Sequence, residues 1–498
     1  MDNSKKLLGS ISLITISYLM SRILGFFREV LLAKWTGVTS ASDTLDLAFI
    51  IPDFLFYLSA GGYLAITLIP ILSDISKNRE TELNDYFVSL LYGLSMVFFT
   101  ISFLSFLFRY QIVNLLDVEN PDLFIKLFTP IIFSQTFFFI GAILMSFQYF
   151  KNDFKYAALA PVIYNSSIIL FGWFYSTSPE STVYGFAIGG LVGSIIGHLL
   201  LQLLGAKNNG LIFKVLKPKL EHVSQYIKIS FPLIVGQSIA VIDEQLFRYF
   251  GSLLSTGSIA SFRYARRVAL IPVGVIAQAV GVASYPTLSK LFVENKFEDL
   301  KLLIKKQLSA LAVINTGVLI IFLKNSENII EIIYQRGLFT PEDTNRVSSI
   351  FMVVAFGLIP WSLNQIITRS YYVQKNYWFP VWVGTFITFA TIFILKILNN
   401  PSGESYAVVI ISSLWVNTLI LSFFLKIKNE RLIDKSLLLD LFKILCVGLL
   451  TYFLNFSFGF YSGSPILEVV FDTLFIFIVI LMSLFVVKMN YINLKRTR

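Results

Sequence analysis

Apolar residues in this chain come in long runs that are separated by short polar segments. Fourteen of these runs approach the length that an α-helix needs to cross the roughly 30 Å hydrocarbon core of a bilayer. They lie near residues 8–35, 42–74, 86–108, 127–149, 157–175, 183–205, 229–250, 258–288, 307–323, 347–372, 379–395, 406–424, 437–455 and 468–487. The pattern predicts an all-α integral membrane protein with about 14 transmembrane helices.

The composition agrees with this prediction. Hydrophobic residues make up 56 % of the 498 and charged residues only 14 %, whereas soluble domains carry about 25 % charged residues. Cys446 is the one cysteine and His198 and His222 are the two histidines, so an intrachain disulfide and a Cys- or His-rich metal site are excluded. No P-loop pattern and no H-E-x-x-H pattern occurs, and we therefore expect neither an enzyme nor a bound cofactor.

The positive charges alternate from one side of the predicted spans to the other. Of the 40 Lys and Arg residues, 25 fall in segments on the side of the N-terminus and 6 fall in the opposite loops. Because basic residues are retained on the cytoplasmic side, both termini are predicted to be cytoplasmic. The net charge of +10 is therefore explained by the basic residues that set the orientation in the membrane. No nucleic-acid partner is expected.

An internal repeat predicts how the spans are grouped. Ile51-Pro52 and Ile271-Pro272 each precede a second proline motif, at Pro70 and Pro286. We expect two six-helix lobes related by a pseudo-two-fold axis, plus two C-terminal helices. The predicted division is 1–205, a cytoplasmic amphipathic linker at 206–228, 229–426, and 427–498. Proline and glycine should kink the second helix of each lobe, at Pro52, Gly61, Gly62, Pro272, Gly274 and Gly281.

Several charges fall inside or beside the predicted spans, where an ionised side chain is costly unless it faces protein or water. The first lobe carries Arg22, Arg28, Glu29 and Asp43, and the second carries Asp243, Glu244, Arg248, Arg263, Arg266 and Arg267. If the lobes face each other, the two sets would meet across a central cavity. Arginine binds two phosphate oxygens at once, so Arg22, Arg28 and Arg267 suit a diphosphate, with Glu29 and Asp43 as acceptors for sugar hydroxyls.

Other interpretations of these charges stay open at this stage. Arg28 and Glu29 are adjacent and could form an internal ion pair. Glu244 and Arg248 are four residues apart and are most simply a pair on one helix surface, whereas a coupling ion bound by Asp243 or Glu244 is the less favoured interpretation. Amides within apolar spans, Gln135, Asn165, Gln237 and Asn364, are predicted to form hydrogen bonds between helices.

Residues 21–29, SRILGFFRE, together with Ser42-Asp43 and Ile51-Pro52, resemble the N-terminal signature of the MurJ (MviN) family. Members of this family are lipid II flippases of the multidrug/oligosaccharidyl-lipid/polysaccharide exporter superfamily. Further segments resemble later parts of the family pattern: YARR at 264–267, IPVGV at 271–275, PTLSK at 286–290 and QRGLFT at 335–340. The resemblance covers both predicted lobes and agrees with the number of spans.

The resemblance implies a transporter of the bacterial cytoplasmic (inner) membrane that works by alternating access. Its substrate would be the lipid-linked oligosaccharide lipid II, the undecaprenyl-diphosphate-linked peptidoglycan precursor, moved from the inner to the outer leaflet. It implies a substrate site that contains Ser21, Arg22, Gly25, Arg28, Glu29, Asp43 and Arg267, and energy from membrane potential or an ion gradient. Membrane lipids and cell-wall synthesis proteins are further expected partners.

Three alternatives remain beside this function. The chain could be a flippase for another polyprenyl-diphosphate-linked glycan, such as a surface polysaccharide unit. It could also export drugs, or it could be a membrane-embedded glycan ligase or polymerase. Product formation on the lipid-linked substrate separates the enzyme from the transporters, since a flippase changes the leaflet and leaves the molecule unchanged.

Overall fold

Helices make up nearly all of the computed structural model, which describes residues 2–58, 64–78, 80–240, 242–457 and 463–487. The predicted all-α membrane fold is confirmed. The helices up to residue 240 are α1 (Asp2–Thr36), α2 (Ser40–Ala48), α3 (Ile50–Leu58), α4 (Leu64–Asn78), α5 (Leu83–Leu107), α6 (Arg109–Leu116), α7 (Pro121–Phe150), α8 (Lys155–Phe174), α9 (Pro179–Gly193), α10 (Leu201–Asn208) and α11 (Leu220–Ala240). A 3₁₀ turn at Glu80–Glu82 precedes α5, and a π-helical segment at Ser194–Leu200 joins α9 to α10.

The second half of the chain continues in the same manner. Its helices are α12 (Ile242–Gly251), α13 (Ser258–Pro272), α14 (Gln278–Val293), α15 (Phe297–Lys324), α16 (Ser326–Tyr334), α17 (Pro341–Ala355), α18 (Leu358–Val373), α19 (Trp378–Ile397), α20 (Gly403–Phe424), α21 (Lys435–Ser457) and α22 (Pro465–Val487). Two short antiparallel strands, β1 (Lys426–Ile427) and β2 (Glu430–Arg431), form a hairpin between α20 and α21.

Within the described residues, 10 helical segments are long and apolar enough to cross a membrane. They are Leu83–Leu107, Pro121–Phe150, Lys155–Phe174, Pro179–Asn208, Ser258–Val293, Phe297–Lys324, Pro341–Val373, Trp378–Ile397, Gly403–Phe424 and Lys435–Asn455. Each coincides with one of the fourteen predicted windows. The four other windows correspond to α1, to α2–α4, to α11 with α12, and to α22, and for these a membrane crossing stays a prediction.

The two windows that carry the repeated Ile-Pro pair are interrupted where the sequence predicts a break. In the first, α2 ends at Ala48 and α3 begins at Ile50, two residues before Pro52. In the second, α13 ends at Pro272 and a π-helical segment, Val273–Ala277, connects it to α14. Proline lacks a backbone N–H, so the regular hydrogen-bond ladder is interrupted there. A wider turn follows Pro272, whereas at the first break the N–H of Phe49 donates to the carbonyl of Asp46 in a tighter turn. Gly61 and Gly62 lie outside the described residues.

The chain divides into two compact units. The first consists of Met1–Val241, Ser255–Ala260 and Arg336–Phe339, and the second consists of Ile242–Leu254, Ser261–Gln335 and Thr340–Arg498. Large aromatic side chains fill the interior of the first unit, as at Phe87, Phe124 and Phe128, and of the second, as at Tyr334 and Phe351. The lobe boundaries and the symmetry axis given by the sequence pattern stay predictions.

The predicted linker contains an irregular stretch that is fastened to α5. Helix α10 ends at Asn208, and residues 211–219 form neither helix nor strand. The Asn84 side chain accepts from the N–H of Ile212 over 2.8 Å and donates to its carbonyl over 2.9 Å. Lys214 forms an ion pair with Asp85 at 2.7 Å. The linker is therefore held against the first turn of α5.

Candidate functional site

Arg28 of α1 is held by α8 and by its own neighbour Glu29. Nη1 of Arg28 donates to Oδ1 of Asn165 on α8 over 3.1 Å, and Nη2 donates to Oε1 of Glu29 over 3.0 Å. The Asn165 amide donates in turn to the carbonyl of Pro161 over 2.9 Å, which fixes its orientation. The Arg28 side chain is 22 % exposed, and the Glu29 side chain is 5 % exposed. The guanidinium is thus oriented by its partners and still accessible to a ligand.

The spacing of the motif on α1 explains which of its residues meet α8. Ser21, Gly25 and Arg28 follow one another at intervals of four and three, so they share one side of the helix. A Cβ atom at Gly25 would lie 3.9 Å from Oδ1 of Asn165, so this side of α1 packs on α8. Arg22 lies on an earlier turn and its side chain is exposed.

Asp43 on α2 is engaged in hydrogen bonds to the backbone. Its Oδ2 accepts from the N–H of Gly257 over 2.5 Å, and its Oδ1 accepts from the N–H of Ala260 over 2.7 Å. Gly257 directly precedes α13 and Ala260 lies in its first turn, and both belong to the first unit. The first amides of a helix have no partner inside it and favour a negative charge, so the carboxylate, which is 7 % exposed, caps this turn.

In the second unit, the two acids at the start of α12 contact two arginines. Arg266 on α13 approaches Asp243 with Nε at 3.2 Å and Nη2 at 3.1 Å, and it donates from Nη1 to Oε2 of Glu244 over 2.7 Å. The other oxygen of Glu244, Oε1, accepts from Nη2 of Arg248 over 2.7 Å. The Cζ of Arg266 lies 5.6 Å from the ring centroid of Trp361 on α18. We call Asp243, Glu244, Arg248 and Arg266 the α12 charge network.

The neighbouring arginines of α13 differ in their surroundings. Arg267 is exposed, whereas the guanidinium of Arg263 stacks on the ring of Tyr264 at 4.2 Å. The predicted role of Arg267 in substrate binding, like those of Ser21, Arg22, Gly25, Arg28, Glu29 and Asp43, stays a prediction. The same holds for an ion-coupling role of Asp243 and Glu244.

Sequence reasoning identified some of the partners and missed others. The predicted pairs Arg28–Glu29 and Glu244–Arg248 are present, because residues one or four apart on a helix are close by construction. Asn165 was predicted to bond between helices, and it does so, but its partner is 137 positions away and could not be named. The bond from Arg266 to Asp243 was missed for the same reason, because the two residues lie on different helices. Over the described part of the chain, His, Cys, Asp and Glu residues form no group of three that could hold a metal ion.

Comparison with known proteins gives the family. The family model described as "Lipid II flippase MurJ" matches residues 32–491. The chain belongs to the MurJ family. This confirms the predicted resemblance and makes the chain a multi-pass membrane protein of a transporter family.

Curated relatives within the MurJ family align with this chain over most of their length. The "Probable lipid II flippase MurJ" of Buchnera aphidicola subsp. Baizongia pistaciae is 27 % identical over 473 residues, which are 91 % of this chain and 90 % of the relative. The "Lipid II flippase MurJ" of Thermosipho africanus is 29 % identical over 450 residues, covering 86 % of this chain and 89 % of the relative.

Solved structures extend this agreement to the fold. A lipid II flippase MurJ in an inward closed conformation superposes with a TM-score of 0.80 at 25 % identity, covering 95 % of this chain and 98 % of that one. An inward-facing multidrug resistance MATE transporter of the MOP superfamily matches with a TM-score of 0.62 at 12 % identity, over 88 % of this chain and 98 % of its own. The second match concerns the fold alone, which the two chains share over most of their length.

Proposed function

We propose that this protein moves lipid II, the undecaprenyl-diphosphate-linked peptidoglycan precursor, from the inner to the outer leaflet by alternating access. Family membership over residues 32–491 supports this function, as does the likeness to the solved MurJ structure. The protein transports the lipid without altering it, so it acts as a flippase and not as an enzyme. Cell-wall synthesis proteins that use the precursor on the outer face are its proposed partners.

The observation that carries the proposal is the arrangement around Arg28. An accessible guanidinium lies on α1, which the sequence predicts to span the membrane, and it is oriented by Asn165 and Glu29. A diphosphate is a suitable ligand for such a group, because the planar guanidinium fork matches two phosphate oxygens and keeps its charge at any physiological pH. Arg22 and Arg267 are exposed and would contribute further donors during the transport cycle.

The remaining predicted site residues have supporting roles in this proposal. Glu29 holds Arg28 in place and offers a nearby acceptor for a sugar hydroxyl. Gly25 lies beside Asn165 on the side of α1 that packs on α8. Ser21 lies one turn earlier on the same side and would donate to the headgroup. Asp43 would act on the substrate through the segment that it caps.

A transport assay with arginine variants tests the role of these residues. We expect Arg22→Gln and Arg28→Gln each to lower the rate at which lipid II reaches the outer leaflet at least about tenfold. A charge-assisted hydrogen bond contributes about 1.5–3 kcal/mol, and about 1.4 kcal/mol corresponds to a factor of ten. Rates are measured in proteoliposomes that contain purified protein and labelled lipid II, with exposure to an external reagent as the readout.

Arg109→Gln is the matched control, because Arg109 begins α6, just beyond α5, at the end that is predicted to face outward. Its guanidinium donates to the carbonyl of Phe106 and lies over the rings of Phe106 and Tyr110. Its rate should equal that of the wild type. Transport of another polyprenyl-diphosphate glycan with no transport of lipid II would refute the assignment of the headgroup. A chemically altered lipid product would refute the flippase itself.

We further propose that both termini face the cytoplasm, because the basic residues concentrate in the segments on that side. Reporter fusions after residue 498 and in the predicted outer loop near residue 117 test this orientation. An enzyme reporter that is active only in the cytoplasm should be active at the first position and inactive at the second. The reverse pattern would show that the termini face the outside of the cell.

A further inference from the structure

Each carboxylate oxygen of Asp243 and Glu244 already has a guanidinium N–H as a partner. Arg266 approaches Oδ1 and Oδ2 of Asp243 at 3.3 and 3.1 Å and Oε2 of Glu244 at 2.7 Å. Arg248 takes the remaining oxygen, Oε1 of Glu244, at 2.7 Å. Three nitrogens of a single guanidinium, Nε, Nη1 and Nη2, are therefore directed at the two acids.

The network is also withdrawn from solvent. The side chains of Asp243, Arg248 and Arg266 are 5, 9 and 14 % exposed, and that of Glu244 is 26 % exposed. A buried carboxylate is stable as an anion only with a cation or hydrogen-bond donors beside it. A bound metal cation would meet this need with oxygen ligands, and those oxygens are the ones that face Arg266 and Arg248.

We propose that Arg266 is a fixed internal counter-ion that takes the place of a coupling cation at Asp243 and Glu244. Energy coupling in this protein then does not use a metal cation bound by these two acids. The inference goes beyond the proposed function, since it concerns the acids of α12 and holds whichever lipid is carried.

The surroundings of Arg266 support a fixed position. Its guanidinium lies 5.6 Å from the ring centroid of Trp361, a distance at which the ring face attracts a cation. The arginine therefore has the acids of α12 on one helix and an aromatic ring on another as partners. Because it precedes Arg267, the same contacts also hold this part of α13, and with it the exposed arginine, in a defined orientation.

The test measures how metal cations change thermal stability, independently of transport. The wild type is heated in sodium, lithium, potassium or choline chloride at one ionic strength, so that screening is equal and only specific binding differs. We expect the same melting temperature in all four salts. Arg266→Gln removes the internal charge, and its melting temperature should rise by about 2 °C or more from choline to sodium or lithium, since a cation that binds only the folded state stabilises it.

Two matched variants separate the charge from the shape of the side chain. Arg266→Lys keeps a positive charge, and its melting temperature should be as insensitive to the salt as that of the wild type. The double variant Asp243→Asn with Arg266→Gln removes the acid as well, and the cation dependence should disappear. An Arg266→Gln protein that folds and shows no cation dependence would overturn the inference.

The wild type and Asp243→Asn decide the matter if Arg266→Gln does not fold. A sodium-specific stabilisation of the wild type that Asp243→Asn abolishes would show that the acids bind a cation despite Arg266. Equal melting temperatures in all salts for both proteins support the internal counter-ion. These results do not depend on which lipid is transported. Failure of the lipid II assignment can therefore be distinguished from failure of the internal counter-ion.

Discussion

Both carboxylate oxygens of Asp43 accept hydrogen bonds from backbone amides, and this changes how the residue is interpreted. The sequence predicts a headgroup contact, whereas the observed geometry is that of a capping group for a helix start far away in the chain. Buried hydrogen bonds to a charged group are among the stronger polar contributions to stability. We therefore expect Asp43 to act first on the stability of the segment that it caps.

Asp43→Asn tests this expectation. An asparagine keeps one acceptor oxygen and loses the charge, so we expect the free energy of unfolding to fall by about 1–3 kcal/mol. Chemical or thermal unfolding of the purified protein in detergent measures the change. Asp122→Asn is the control, because Asp122 is an exposed acid in the first turn of α7 and should have little effect. Unchanged stability with lost transport would favour the headgroup contact instead.

Residues also show where sequence reasoning reaches its limit. The pairing of Arg28 with Glu29 follows from adjacency, and that of Glu244 with Arg248 follows from one helical turn. The bonds from Arg28 to Asn165 and from Arg266 to Asp243 join different helices. A single sequence gives the polarity of such residues within apolar spans, but it does not contain the rotation of one helix against the next.

At the scale of elements, α15 begins earlier than the hydrophobic pattern predicts. The predicted window starts near residue 307, but the helix starts at Phe297 and includes Lys301 and Lys305, which are buried. Lys301 contacts Glu298 and Glu430, and Lys305 contacts Asp434. The long alkyl stems lie in the protein while acids near the β1–β2 hairpin neutralise the ammonium groups. Two lysines that lie outside the predicted apolar window thus connect α15 to the hairpin and to the residues that follow it.

Asp434, the partner of Lys305, has a shifted pKa. Burial raises the pKa of Asp434, but hydrogen bonds from Lys305, the N–H of Leu437 and Ser436 outweigh it and lower the pKa to about 2, from an ordinary value of 3.8. A carboxyl with a lowered pKa in the folded state contributes stability above its unfolded pKa. That contribution is lost as the pH falls from about 4 to about 2.

The measurement is the melting temperature in detergent between pH 6 and pH 2.5. We expect Asp434→Asn to melt lower than the wild type at pH 6 and to depend less on pH below about 4, so that the two curves converge in acid. Asp117→Asn, a variant of an exposed acid in a predicted outer loop, controls for general effects of acid. Parallel curves for Asp434→Asn and the wild type would show that the ion pair between Lys305 and Asp434 does not contribute to stability.

At the scale of the whole molecule, hydrophobic periodicity accounts for most of the fold. Ten of the fourteen predicted windows coincide with helical segments that can cross a membrane, because the bilayer sets one length for all of them. The break between α2 and α3 was indicated by Pro52, but its position at Phe49 was not. The membership of the two units was beyond reach, since 255–260 and 336–339 join residues that are distant in sequence.

One of these late segments has a consequence for how the protein is made. The N–H of Leu338 donates to the carbonyl of Lys34 over 2.8 Å, and Gly337 lies so close to that carbonyl, at φ +64°, that a side chain could not be accommodated. The first compact unit is therefore incomplete until residue 339 has left the ribosome. During synthesis, the bonds that Asp43 and the carbonyl of Lys34 accept from these late segments cannot form until the segments themselves have been translated.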